Sequence, residues 1–236
     1  MKMPIYLDFL SKFGVGGAHP GGIDLTKELF RYERITPTTR ILDVGCGTGQ
    51  SAAYLAATYG AIVTGIDINP IMVEKARSRM TRNQLPAKII QGSIENCSLT
   101  DETFDYIISE SVLSFVNKPK SLTEIFRLLK SGGRFIANEL IINQHLHPSH
   151  TKEITQFYGV DSLLMEKDWL TLLQQTGFKG IESRKQTQSI LQQNVTPEFL
   201  YSDYIEPELY TIMNQHFYIM GKYHGILDYR VFSCTK

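Results

Sequence analysis

The sequence predicts an α/β fold built on a doubly wound parallel sheet. Two observations carry that reading. From Arg40 onward, short apolar runs alternate with helical segments, and the runs are apolar almost throughout rather than at every second residue. Strands covered on both faces have that pattern, and helical crossovers between them make the pairing parallel. The first run also ends in a glycine-rich turn that opens a helix, and the second ends in a carboxylate, Asp67. In such a sheet these two ends lie side by side at the edge where ligands bind.

The elements follow in order. Residues 13–22 hold five glycines and a proline in ten residues, which makes them a flexible loop. A helix over 24–32 follows, with Asp24 as its N-cap. Residues 41–44 are the first sheet strand and 51–59 an Ala-rich helix closed by Gly60. Residues 61–67 are the second strand, and Pro70 sits in the first turn of a helix that runs to Asn83. Strands at 88–91 and 104–109 precede a helix over 119–129. That helix ends at Lys130-Ser131-Gly132-Gly133, and a strand over 134–140 follows. Beyond it are an amphipathic helix over 166–176 ended by Gly177, a strand over 178–186, an aromatic-rich helix over 196–222 and a last strand over 225–234. Trp169 reads as core or interface. No repeat or linker divides the chain, so residues 1–236 read as one domain with helical insertions.

Composition narrows the function. Of 236 residues, 42% are hydrophobic and 20% charged, enough for a sizeable core and too apolar for disorder. Lys plus Arg and Asp plus Glu each number 24, so there is no global basic field and a nucleic-acid partner is disfavoured. Mean hydropathy is −0.14, and no apolar run approaches the roughly 20 residues of a membrane span. The N-terminus contains Asp8 and does not read as a signal peptide. Cys46, Cys97 and Cys234 form no CxxC pair, so a reducing cytoplasm is the simplest compartment.

The strongest signal is Asp43-Val44-Gly45-Cys46-Gly47-Thr48-Gly49-Gln50. Glycines there let the chain turn sharply and let a ligand approach the backbone, while free N–H groups at the helix start face it. The spacing is GxGxG, and Gln50 stands where a dinucleotide fingerprint has its last glycine. Asp43 would repel a pyrophosphate and suits a ligand with a positively charged end. Asp67 can accept hydrogen bonds from both hydroxyls of a ribose.

These residues resemble motif I and the acidic strand end of the class I S-adenosylmethionine-dependent methyltransferases. Further segments resemble the same family: Gly92-Ser93-Ile94 after the third strand, Phe104 to Ser109, and Leu128 to Phe135. The likeness covers about residues 36 to 142, and is greatest to the small-molecule branch with ubiquinone/menaquinone-biosynthesis-like and glycine/sarcosine-type enzymes. It implies a Rossmann-like seven-stranded sheet with the last strand antiparallel, and S-adenosylmethionine as cofactor. Gly45, Gly47, Thr48 and Gly49 would line the methionine part, with Asp43 near its amino group. Asp67 would hold the ribose, Ile68 and Met72 would pack near adenine, and Ser93 and Ile94 would contact its edge. Many relatives have Asp where Ser93 stands. Ser109 and Glu110 would face the methionine and the acceptor.

The resemblance also implies a small-molecule methyl acceptor. The tetrad of nucleic-acid amino methylases is replaced here by Ser109-Glu110-Ser111-Val112, and no Pro-Cys nucleophile is present. Catalytic candidates are Glu110, His19 and Tyr158. Glu139 and the histidines 145, 147 and 150 are further polar groups, with no metal site assigned. Residues 1–35, including Tyr6, Phe13 and His19, read as an N-terminal lid. Residues 143–165, with Phe157 and Tyr158, and 188–223 read as lid insertions over the acceptor pocket. Exposed aromatics in the inserts would suit a homodimer. Rival readings are an RNA or protein methyltransferase, a nicotinamide oxidoreductase, and a non-catalytic S-adenosylmethionine-binding protein.

Overall fold

A computed structural model describes residues 4–185 and 197–236. Its centre is a seven-stranded sheet. Strand β2 (Arg40–Val44) lies between β3 (Ile62–Asp67) and β5 (Phe104–Glu110), and β4 (Lys88–Gln91) lies outside β3. On the other side follow β6 (Leu129–Ile142), β9 (Leu227–Thr235) and β7 (Lys179–Lys185). Pairing is parallel from β4 to β6, and β9 runs antiparallel to both β6 and β7. The seven-stranded sheet with an antiparallel last strand is therefore present.

Each crossover helix covers one face. Helices α2 (Gly22–Phe30), α3 (Gln50–Tyr59) and α4 (Pro70–Arg82) enclose one apolar layer, which includes Phe30, Ile41, Leu55, Val73 and Ile108. Helices α5 (Lys118–Leu128) and α7 (Glu166–Thr176) enclose the other, with Leu42, Ile107, Leu122, Phe135, Trp169 and Phe232. Trp169 is a core residue whose indole N–H donates to the Leu140 carbonyl at 3.1 Å. The start of α4 is set locally: Asn69 accepts from the Ile71 and Met72 amides, and Pro70 fills the first turn.

A third apolar cluster forms a roof at the carboxyl edge of the sheet. It joins α1 (Ile5–Phe13), α6 (Pro148–Tyr158) and α8 (Leu209–Lys222) through Tyr6, Phe9, Ile154, Tyr158, Ile212 and Ile219. The roof is where the sequence reading needs correction. Residues 143–165, expected as a helical lid insertion, contain helix α6 over 148–158, capped by His147 with Pro148 in its first turn. The glycine loop contains β1 (Val15–Gly16), which pairs with β8 (Glu198–Phe199). Helix α8 begins at Leu209, after Pro207, and not at 196, a position outside the described residues. Asp24 lies inside α2 and pairs with Lys27, while Gly21 holds the cap position.

One further difference lies in the sheet. Strand β6 starts directly after α5, so the Lys130–Gly133 turn is a bulge within it. Phe104 pairs with Leu129 and Tyr106 with Arg134, which places the extra residues on β6. Gly132, at φ 74°, supplies the left-handed residue that the bulge requires.

Candidate functional site

A cavity of about 570 Å³ opens along the carboxyl edge, under the roof. One half lies over the ends of β2, β3 and β4. There the chain after β2 turns through Gly45, whose N–H donates to the Ile66 carbonyl at 2.8 Å. The three motif glycines have three different reasons. A methyl group on Gly45 would approach Val112 to 2.3 Å. One on Gly49 would meet Met80 and Ala76 of α4 at 2.9 and 3.0 Å, so Gly49 permits helix packing. Only Gly47, at φ 51°, faces open space with nothing within 4 Å. Gly45, Gly47 and Thr48 line the cavity, and Gly49 does not.

Three carboxylates converge on this half. Asp67 accepts from the Gly47 amide through one oxygen and the Asn69 amide through the other, both at 2.8 Å. Asp43 is fully enclosed and accepts from the Ala52 amide, yet its Oδ2 has no partner. Glu110 accepts from Thr26 Oγ1 at 2.8 Å and Ser51 Oγ at 2.6 Å. Burial, with Glu110 and Asp67 close by, pushes the Asp43 carboxyl well above its ordinary range. Burial likewise raises Asp67, against the hydrogen bonds that lower it. A ligand bringing positive charge would relieve this crowding.

The wall around that half holds Ile68, Met72, Ser93 and Ile94. Ser93 Oγ accepts from the Glu95 amide at 3.2 Å. His19 drops from the glycine loop to place Nε2 3.5 Å from Glu110 Oε2. Both side chains are nearly enclosed, at 5% and 7% exposure. Neither ring nitrogen of His19 has a hydrogen-bond partner. Two residues read from sequence as facing the site turn away. Ser109 is fully buried and donates to Glu139 at 3.2 Å, because alternation along β5 sends only Glu110 into the cavity. Glu139 is sealed beneath the 3₁₀ turn after β5, where it accepts from the Val112, Leu113 and Ser114 amides.

The other half lies over β5, β6 and β9. Tyr6, Leu7 and Leu10 of α1 line it, with Phe115, Tyr158 and Val160. Leu140 of β6 and Tyr229 of β9 face each other in register and complete it. Tyr229 was missed from sequence: nothing in the last strand separates it from core tyrosines before its pairing partner is known. Phe13 and Phe157 support the roof without lining the cavity. Among the histidines outside the cavity, His150 bonds Tyr223 Oη at 2.7 Å and His147 caps α6. Among the described residues, no group of three His, Cys, Asp or Glu is placed to hold a metal.

Comparison with known proteins agrees with this geometry. Residues 42–137 match the family model described as a methyltransferase domain. The chain is 36% identical over 234 residues to the uncharacterized methyltransferase YodH of Bacillus subtilis, covering 99% of this chain and all of that one. It is 35% identical over 171 residues to the O-methyltransferase cnsE of Penicillium expansum, covering 68% of this chain and 59% of that one. The chain therefore belongs to the methyltransferase family. In fold it superposes on phosphoethanolamine N-methyltransferase 2 of Haemonchus contortus, solved with S-adenosyl-L-methionine, with a TM-score of 0.79 at 20% identity. That match takes in 98% of this chain and 56% of the other.

Proposed function

We propose that the protein is an S-adenosylmethionine-dependent methyltransferase acting on a small-molecule acceptor. The observation that carries this reading is the unpartnered, buried Oδ2 of Asp43 beside the open face of Gly47 and the Asp67 carboxylate. A ligand with an ammonium group, a sulfonium and a ribose answers all three. The residues thus fit the cofactor: Asp43 for its amino group, Gly45, Gly47 and Thr48 for the methionine chain, Asp67 for the ribose. Ile68, Met72, Ser93 and Ile94 would enclose the adenine. When bound, the cofactor supplies a methyl group already made electrophilic by its sulfonium.

The chain's own residues then position and deprotonate. The apolar half excludes water and holds the acceptor in line, which alone contributes several kcal/mol. His19 is the group placed to take a proton, since it lines the cavity and its ring nitrogens have no hydrogen-bond partner. Glu110, itself fixed by Thr26 and Ser51, would orient the imidazole and stabilise its charged form. Within residues 4–35, 143–165 and 197–223, α1, the glycine loop, α6 and α8 act as lids on a single domain, and their cover over the cavity favours a small acceptor over RNA or protein. Three free cysteines suit a reducing cytoplasm. The exposed Phe217 and Tyr218 of α8 suit a homodimer. Thermal unfolding with added ligands tests the proposal: S-adenosylmethionine and S-adenosylhomocysteine should raise Tm and NAD should not. A rise with NAD alone would return the chain to the oxidoreductase reading.

A further inference from the structure

We infer that the methyl acceptor is a neutral, largely apolar molecule that carries no anionic group. This rests on the methyltransferase reading and narrows its substrate class. The acceptor half of the cavity presents Leu10, Leu140 and Val160, with Tyr6, Tyr158 and Tyr229 as its polar edges. Among the described residues, no Lys or Arg lines any part of the cavity. The sequence outside them, residues 1–3 and 186–196, contains a single cation, Lys2.

Cations around the cavity are committed elsewhere: Lys118, two residues from the lining Val116, is buried beside Glu139 and Asp161 and reaches Ser162 Oγ at 3.5 Å. Lys75 Nζ donates to the carbonyls of Ser11 at 2.8 Å and Leu200 at 2.5 Å, and to Ser202 Oγ at 3.0 Å. Arg79 binds the Thr48 carbonyl at 2.8 Å and Glu198 at 2.6 Å. Arg230 is held by Glu166 at 3.0 Å and Asp228 at 2.7 Å. What the cavity does contain is negative: Asp43, Asp67, Glu95 and Glu110. A phosphate monoester bears nearly two negative charges and is ordinarily met by Arg or Lys. Enclosed in the acceptor half it would meet no Lys or Arg and would lie near Glu110 at the junction, which disfavours binding. A carboxylate acceptor meets the same objection in smaller measure. The tyrosine hydroxyls add to the case, because burial raises Tyr6, Tyr158 and Tyr229 and keeps them neutral; Tyr158 Oη bonds His216 Nδ1 at 3.0 Å, which leaves Tyr6 and Tyr229 to meet a hydroxyl or carbonyl oxygen.

The test uses the full chain saturated with S-adenosylhomocysteine. The neutral fluorophore N-phenyl-1-naphthylamine is titrated in, then displaced with a matched pair, 4-hydroxybiphenyl and its phosphate monoester, and with phosphoethanolamine. The expected result is saturable fluorophore binding, displacement by the phenol, and at least 100-fold weaker displacement by either phosphate. Leu10→Glu, on the roof helix and not in the sheet, should weaken the fluorophore ten-fold or more. A titration of that variant with S-adenosylhomocysteine reports whether it is folded. No fluorophore binding, an unaffected folded Leu10→Glu, or equal displacement by a phosphate would overturn the inference. Failure of S-adenosylhomocysteine itself to bind would instead overturn the cofactor reading, so the two failures are distinct.

Discussion

At the residue scale, the site is an arrangement of buried carboxylates, each in a different environment. Asp43 is held above its ordinary range by burial and by Glu110 and Asp67, so it takes up a proton at a higher pH than an ordinary carboxylate. A cationic cofactor binds the ionised form. Affinity for S-adenosylmethionine should therefore fall as pH drops, by up to ~10-fold per pH unit, and binding should release a proton. Calorimetry in buffers of different ionisation enthalpy measures both, and Asp43→Asn should abolish the pH dependence. Glu139 gives a stability effect. Burial lifts its carboxyl from 4.5 to about 7. The folded state then keeps a proton that the unfolded chain has lost, so this group's contribution is greatest below about pH 4.5 and is lost as pH rises to about 7. Relative to Glu139→Gln, the native protein should lose on the order of 2 kcal/mol between pH 5 and 7.5. Urea denaturation at the two pH values measures it, and a constant difference would contradict the assignment. Gly47→Val should remove cofactor binding and also lower Tm, since its added carbons enter the open space while a β-branched residue is strained at φ 51°. At Gly45 even a methyl group collides with Val112, so Gly45→Ala should lower Tm as well.

At the element scale, the roof is tied to the sheet by two cations on α4. Lys75 bonds the end of α1 and the segment after β8, and Arg79 bonds β8 through Glu198, which also accepts from Gln50 at 3.1 Å. Lys75→Met removes the first tie and takes from the Leu200 carbonyl its charged donor. Amide exchange should accelerate in α1 and around residues 197–202, while β2 and β3 keep their protection. Uniform acceleration would mean a global loss instead. This scale also shows where sequence reading ends. Helix α7 and strand β4 were legible to the residue, because their period and their Gly or Pro boundaries are local. The β1–β8 pair was not: Val15 meets Phe199 across most of the chain, and two residues carry no period.

At the scale of the whole molecule, the carboxylate-lined half of the cavity was legible and the apolar half was not. Asp43, Gly47 and Asp67 lie on consecutive strand ends and a turn, so parallel topology alone brings them together. The acceptor half draws Leu10, Leu140, Tyr158 and Tyr229 from four distant segments, one of them the antiparallel strand β9. Only tertiary pairing assembles that set. His19 and Glu110 stand at the junction, and their contact depends on how the glycine loop folds over α3. If His19 takes the acceptor's proton, His19→Gln should lower kcat by 10²-fold or more and leave the affinity for S-adenosylhomocysteine unchanged. A loss confined to KM would assign His19 to acceptor binding.

The central claim is that the carboxylate-lined half of the cavity holds S-adenosylmethionine. Calorimetric titration of the native chain and of Asp67→Ala with S-adenosylmethionine, S-adenosylhomocysteine and NAD tests it most directly. Micromolar binding of the first two, lost in the variant and absent for NAD, is the expected result. A native, folded chain that binds neither adenosyl ligand would contradict it.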